Sequence, residues 1–313
     1  MLAIKGLSWA VIAMLPLSSL AAQDLKDDPA YKEMLRKGPP APPVHTNVEP
    51  ERPKAESAPA PQPPPQTEPD ASEKPFVEIP SVLAVFAHPD DEIMFAPVLS
   101  RIAREGGEVT VVYATSGDAG PGVSGMEPGN ALAELRESEA QCAADALKLD
   151  SPIFWKLGDG KLSDFARGDQ TLGPSLARMV GEVIAETSPQ VIMTWGPDGG
   201  YGHADHRMIS AAVTQVVQTL GDARPELLYS AIPDGSRPQI AAFDSWATVH
   251  PALVTDRIRY MPLDLYNARD AMDCHKSQFS EEARKGLTNL LHDSVWRGTV
   301  YFRLAFPEPV EPG

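Results

Sequence analysis

The sequence predicts an α/β fold: a doubly wound, mostly parallel sheet with helices on both faces. Two observations predict it. Short apolar runs alternate with helical periods from Phe76 onward, and the residues with chemical potential follow directly on two of those runs. Ser81 to Ala87 is almost wholly apolar, as a strand buried on both faces of a parallel sheet must be. Ile93 to Arg104 has the period of an amphipathic helix. Val109 to Ala114, Pro152 to Leu157 and Val191 to Trp195 read as the next strands. The intervening helices are expected over Leu132 to Leu147 and Leu172 to Glu186, and a further one from about His206 to Leu220. Leu227 to Ile232 and Val300 to Phe306 read as additional strands. With right-handed crossovers, ligands bind beyond the carboxyl ends of such strands, where the strand order reverses. His88 to Asp91 follow the first strand there, and Gly196 to His206 follow the fourth.

The globular part is expected over residues 77–313, as one catalytic unit. Residues 1–22 have the layout of a signal peptide: Lys5, an apolar run from Leu7 to Leu17, then Ser18, Ser19, Ala21 and Ala22. The run is too short, and lacks the basic stop, for a retained anchor. No cysteine follows it to accept a lipid. The expected location is therefore periplasmic or secreted, with no stable membrane insertion after cleavage. Residues 23–76 are rich in Pro and Ala, with Pro61, Pro63, Pro64 and Pro65 nearly consecutive, and read as an extended, disordered linker. The net charge of −16 excludes nucleic acid as a partner, because binding it requires a basic surface. Cys142 and Cys274 are the two cysteines, both in helical stretches. An oxidising compartment would permit pairing, but buried free thiols are the expectation.

A nucleotide-binding sheet of this kind carries a glycine-rich turn after its first strand. This chain has His88-Pro89-Asp90-Asp91-Glu92 there. Such a turn repels phosphate and attracts a divalent cation, with His88 and Asp91 the natural ligand pair. Tyr201-Gly202-His203-Ala204-Asp205-His206 follows the fourth strand. One of its histidines completes a face of two histidines and one carboxylate with open positions, and the other is free for catalysis. Taken alone, His88 and Asp91 also suit a capped turn. The second histidine cluster at the same sheet edge favours the metal.

These two motifs resemble the PIG-L/LmbE-like family of zinc-dependent N-deacetylases, over Ser81 to Phe306. Weaker echoes accompany them. Thr115-Ser116-Gly117-Asp118-Ala119-Gly120 is similar to the family's Thr-x-Gly-Glu-x-Gly turn, with Asp118 where Glu is usual. Arg136 to Glu139 resembles its Arg-x-x-Glu helix, Asp159-Gly160 its Asp-Gly turn, and His275-Lys276-Ser277-Gln278 its late His-x-Ser-Gln. The resemblance implies a Rossmann-like, LmbE-type sheet. It implies Zn²⁺, with Fe²⁺ as the alternative ion, on His88, Asp91 and His206, and Asp90 as general base. His203 and Tyr201 would stabilise an oxyanion, with Asp205 orienting His203. Arg136 and Asp159 would contact the substrate, an N-acetylated sugar or glycoconjugate.

Each of these residues has a plainer reading. Tyr201 reads equally as a surface aromatic, Arg136 as a solvated partner of Glu139, and Asp159 as turn chemistry. Glu92 either supports the loop or favours a helix N-terminus. His275, with Met272 and Phe279, reads as a core histidine. Trp155, Trp195 and Trp246 could stack on a sugar, though Trp155 and Trp195 sit in strand-like runs. Rival functions are an Fe(II) oxygenase, which suits a β-barrel better than this pattern, and a non-catalytic sugar-binding relative, which should lack a ligand or the base. An amidase acting on a thiol conjugate or a glycopeptide remains open within the resemblance.

Overall fold

The computed structural model describes residues 79–166 and 175–307. The expected signal peptide at 1–22, the expected linker at 23–76 and the first residues of the helix expected from Leu172 lie outside them.

One mixed sheet of seven strands organises the chain, in the order β3-β2-β1-β4-β5-β7-β6. The parallel part consists of β1 (Val82–Phe86), β2 (Val109–Thr115), β3 (Ile153–Leu157), β4 (Val191–Thr194) and β5 (Glu226–Ala231). At one edge β7 (Thr299–Leu304) runs antiparallel to β5, and β6 (Asp256–Arg259) antiparallel to β7. Because successive side chains on a strand point to opposite faces, β1 feeds two layers. Val82, Ala84 and Phe86 pack with Val98, Leu99 and Ile102 of α1 (Ala96–Arg104). Leu83, Val85 and Ala87 pack with Val180 and Val183 of α3 (Leu176–Thr187) and with Ile209 and Val213 of α4 (Ala204–Val217). The chain winds outward from β1 to β3, then returns to place β4 on the other side of β1. A crevice must open between the loops that leave β1 and β4, and both histidine motifs lie on those loops.

The expected helix from Ile93 to Arg104 is divided. Asp91–Met94 forms a 3₁₀ turn, and α1 begins only at Ala96. Pro97 suits the first turn of a helix, where its missing N–H has no partner to lose. The C-terminal part holds elements that the expected strands and helices do not include, apart from the helical stretch expected around Cys274. β6 reads Asp-Arg-Ile-Arg, too short and too charged to show alternation, as an edge strand often is. α5 (Pro262–Cys274) starts on a proline, and α6 (Glu281–Leu291) is capped by Ser280, whose hydroxyl accepts from the Ala283 N–H at 3.3 Å.

The cysteines depart from the free-thiol expectation. Cys142, in α2 (Asn130–Leu147), is disulfide-bonded to Cys274 at the end of α5, with Cα atoms 5.8 Å apart. The physical cause is the small-residue contact between these helices. Ala143 of α2 and Ala268 and Ala271 of α5 share one buried cluster, which lets the two backbones come close enough to bridge. The bond spans 132 residues of sequence and ties the C-terminal helices to the parallel core. The double variant Cys142→Ala/Cys274→Ala is expected to lose about 2–4 kcal/mol of stability. Urea denaturation checks this, and an unchanged midpoint would contradict the role given to the bridge.

Candidate metal centre

The first loop is folded around its own carboxylates. Asp91 Oδ2 accepts the backbone N–H groups of Ala87 and His88, both at 2.9 Å, which leaves Oδ1 for another partner. Asp90 sits at φ 109°, a left-handed conformation that costs a non-glycine residue about 1–3 kcal/mol. Four side chains and backbone groups hold it there. Its N–H donates to Glu92 Oε2 at 3.0 Å, and Glu92 also accepts from the Tyr113 hydroxyl at 2.6 Å and pairs with His275 Nε2 at 2.5 Å. Arg136 Nη2 donates to Pro89 O at 2.7 Å and to Asp90 Oδ2 at 3.2 Å. Arg136 Nη1 donates to the carbonyls of Gly117 and Gly120 at 3.1 and 3.2 Å. The glycine at 117 is a spatial requirement as well as a turn: a Cβ there would lie 2.3 Å from the guanidinium.

The second loop delivers imidazoles. Trp195, at the end of β4, stacks flat on His206, with ring centroids 4.7 Å apart and planes at 4°. A Cβ on Gly200 would come within 2.8 Å of that indole, so this turn tolerates little else. His203 is the N-cap of α4, its Nδ1 accepting from the Asp205 N–H at 3.2 Å. His206 Nδ1 lies 3.1 Å from Gly199 O and must be the protonated nitrogen, because a carbonyl can only accept. Nε2 then carries a lone pair if the ring is neutral, and a second N–H if the ring is an imidazolium.

The two loops meet. His206 Nε2 stands 2.9 Å from Asp91 Oδ1, yet it is buried without a hydrogen-bond partner. With a neutral ring two acceptors would face each other at that separation, so either a proton or a metal ion must lie between or beside them. His88 is arranged in the complementary way. Its Nε2 faces Asp159 Oδ1 at 3.0 Å and Asp205 Oδ2 at 3.4 Å, and its Nδ1 looks toward Asp91 Oδ2 at 3.9 Å. A histidine pinned by a carboxylate at one nitrogen offers the other to a metal. Donor atoms of His88, His203 and His206 lie within 4.8 Å of one another, and so do those of His88, Asp159 and Asp205.

The electrostatics describe a cation-seeking pocket. Burial pulls the His88 pKa down, but the hydrogen bonds of Asp159 and Asp205 and their neighbours' charges raise it to about 10. A proton thus occupies the pocket in the absence of a metal, and metal binding must displace it. Burial works to raise Asp91, and the adjacent imidazoles hold it well below the carboxylate range. Asp90 is raised to about 6 by burial, with Arg136 opposing. His203 is lowered to about 4 by burial and by the positive charge of its histidine neighbours, so it is neutral near pH 7. Since its Nδ1 accepts from Asp205, its proton sits on Nε2. Burial raises the Tyr201 phenol well above its usual value and keeps its O–H a donor.

Several sequence expectations are altered. Arg136 does not project to substrate: it is 3% exposed and its two terminal nitrogens are spent on the loop and on Asp90. Nor does it pair with Glu139, which accepts from Ser277 N–H and hydroxyl at 2.7 and 2.6 Å. The carboxylate of Asp159 is directed at His88. Asp205 likewise faces His88, because the Gly160 and Leu162 N–H groups draw its two oxygens that way, and only its backbone N–H meets His203. His275 is fully buried, as expected of a core histidine, but it is the partner of Glu92. The late His-x-Ser-Gln segment held the signal for this support: Gln278 reaches the Gly120 carbonyl at 2.9 Å, Ser277 reaches Glu139, and His275 reaches Glu92.

Residues 83–217 match the family profile described as PIG-L: GlcNAc-PI de-N-acetylase. A 1D-myo-inositol 2-acetamido-2-deoxy-alpha-D-glucopyranoside deacetylase from Kineococcus radiotolerans is 35% identical over 166 residues, covering 45% of this chain and 46% of that protein. The chain spans about half the length of the curated relatives it matches. Among solved structures, the N,N'-diacetylchitobiose deacetylase of Pyrococcus horikoshii superposes with a TM-score of 0.53 at 17% identity, over 72% of this chain and 83% of that one. The 4-carboxy-2-hydroxymuconate hydratase of Pseudomonas putida does so with a TM-score of 0.52 at 16% identity, over 74% and 98%. These two share the mostly parallel α/β fold with the chain, and their different reactions show that the fold leaves the chemistry to the site.

The Glu92–His275 pair gives a direct test of how the loop is held. His275→Ala leaves Glu92 buried and charged without its partner, which is expected to cost about 3–5 kcal/mol. Denaturant melts measure this, and a loss below about 1 kcal/mol, the size of an exposed pair, would contradict the buried pair.

Proposed function

Since its residues 83–217 match the PIG-L profile, we propose that this chain is a member of the PIG-L/LmbE-like family and hydrolyses an N-acyl amide on an amino sugar or glycoconjugate, releasing the carboxylic acid and the free amine. The observation that carries the proposal is the buried 2.9 Å approach of His206 Nε2 to Asp91 Oδ1, a pair that needs a proton or a metal ion, beside the free carboxylate oxygen of Asp90. His88, Asp91 and His206 would hold the ion, with Zn²⁺ favoured by two imidazoles and one carboxylate, and Fe²⁺ accepted by the same donors. When bound, such an ion supplies Lewis acidity, polarising the amide carbonyl and acidifying a water.

The chain's own groups do the rest. Asp90 Oδ2 is held by Arg136, so Oδ1 takes the proton of the attacking water as its oxygen bonds to the carbonyl carbon. His203, neutral and carrying its proton on Nε2, donates to the developing oxyanion, and the Tyr201 phenol is a second donor on the same side. Asp90 then returns the proton to the nitrogen as the C–N bond breaks. Asp159 and Asp205 keep His88 oriented with its other nitrogen. Export to the periplasm or the medium is part of the proposal, supported by the Cys142–Cys274 bond, which persists in oxidising compartments. It points to envelope glycans or glycolipids as the pool from which the substrate comes.

Elemental analysis of the purified chain is expected to find one metal per chain, and a chelator to abolish amine release from N-acetylglucosamine-containing glycans. Asp90→Asn should keep the metal and lose about 10²–10⁴-fold in kcat. If the variant loses the metal instead, Asp90 is a ligand and the division of roles is wrong. The pH profile gives an independent check. Asp90 must be ionised to accept a proton, and its metal-free pKa is about 6. A neighbouring cation lowers that value, so the acidic limb of kcat/KM is expected at or below about pH 6, falling as pH drops. Activity that climbs from pH 7 to pH 5 would contradict a base role.

A further inference from the structure

A cavity of about 200 Å³ is bounded by Asp90 and Asp91, and not by the carboxylates that hold His88. Its walls are apolar and aromatic, with Met94, Trp195, Phe243, Trp246, Phe279 and Leu291 the principal ones. The last four lie outside residues 83–217, so this chamber is added to the metal motifs by the C-terminal part of the chain. It is preformed. The Ala247 N–H donates to Gly200 O at 2.8 Å, and Arg237 Nη1 donates to the carbonyls of Asp244 and Trp246 at 2.8 and 3.3 Å, pinning the Phe243–Trp246 segment against the second loop.

The substituents of the scissile carbonyl are the acyl group and the amine-bearing sugar. A polyhydroxylated ring placed in this mostly apolar chamber would lose more hydrogen bonds to water than the few polar side chains could replace, at a cost for every unpaired hydroxyl. Beyond the two aspartates the wall has few polar side chains, Tyr201, Ser245 and Gln278, and Gln278 already donates its amide N–H groups to Gly120 O and Ser277 Oγ. An acyl chain has no such requirement. Nor is a methyl enough to fill the space, since a group the size of a water needs only about 10–15 Å³ on the same measure.

We propose that this cavity is an acyl-chain pocket, and that the chain removes acyl groups several carbons longer than acetyl from an amino sugar. The assignment rests on the amide-hydrolase reading above, and it concerns which substrate that site takes. The acyl chain enters the chamber past Asp90 and Asp91, with its carbonyl at the metal ligands and the sugar on the solvent side.

The test uses glucosamine carrying N-acetyl, N-butyryl or N-hexanoyl, together with octyl N-acetylglucosaminide, whose alkyl group is on the aglycone. Amine release by the zinc-loaded protein is followed for each, and binding to Asp90→Asn is measured in parallel. From acetyl to hexanoyl, kcat/KM is expected to rise on the order of 10²-fold, about threefold or more for each buried methylene. Ala242→Trp, which fills the chamber from its wall, should cut the hexanoyl-to-acetyl ratio at least about tenfold, consistent with losing most of that buried chain. A flat or falling series, or a gain confined to the octyl aglycone, overturns the acyl pocket and leaves the hydrolase reading standing. If no amide is cleaved but binding to Asp90→Asn tightens with acyl length, the pocket stands and the hydrolase reading falls. If neither turnover nor tightening is seen, both fall.

Discussion

His206 Nε2 and Asp91 Oδ1 face each other at 2.9 Å inside the protein, a contact that only a proton or a metal ion can sustain. Almost every other feature of the site follows from making that contact tolerable. Asp91 can offer one oxygen because its other oxygen is engaged by two backbone N–H groups of its own loop. His206 can offer Nε2 because its Nδ1–H donates to Gly199 O and Trp195 fixes the plane of the ring. His88 can turn Nδ1 inward because Asp159 and Asp205 take its Nε2. A buried cluster so rich in carboxylate pays for itself only when positive charge enters it, and the raised pKa of His88 is the proton's version of that demand.

The second constraint is the left-handed turn at Asp90. Strain of that kind survives only when the surroundings over-determine it. Here Glu92 grips the Asp90 N–H and is itself gripped by Tyr113 from β2 and His275 from the end of α5. Arg136 from α2 holds the Pro89 carbonyl and one Asp90 oxygen. The disulfide fastens α2 to α5, the two helices that supply Arg136 and His275. The frame of the candidate base is therefore built from elements far apart in sequence, and its rigidity is a property of the whole domain.

That distance explains what the sequence could and could not say. β1 to β4 are legible because each is an apolar run followed by a helical period, and their observed bounds fall within a residue or two of those expected. His88, Asp90, Asp91, His203 and His206 are legible because the local motifs put them at the ends of β1 and β4. The roles of Arg136, Asp159 and Asp205 are not, because a motif names a residue without naming what it touches. The Glu92–His275 pair spans 183 positions, and the cysteine pair 132, so neither leaves a local pattern. β6 escapes for a different reason. Its charged face belongs to an edge, where solubility outweighs alternation.

The central claim is that the ion belongs on the Asp91 side of His88, with Asp159 and Asp205 behind the ring. Anomalous diffraction at the zinc edge, from crystals of the zinc-loaded protein, tests it most directly. The account predicts a single peak bounded by His88 Nδ1, Asp91 Oδ1 and His206 Nε2, with Asp159 still on His88 Nε2. A peak between His88 Nε2, Asp159 and Asp205 would contradict it, because Asp90 would then stand on the wrong side of the imidazole to serve as base.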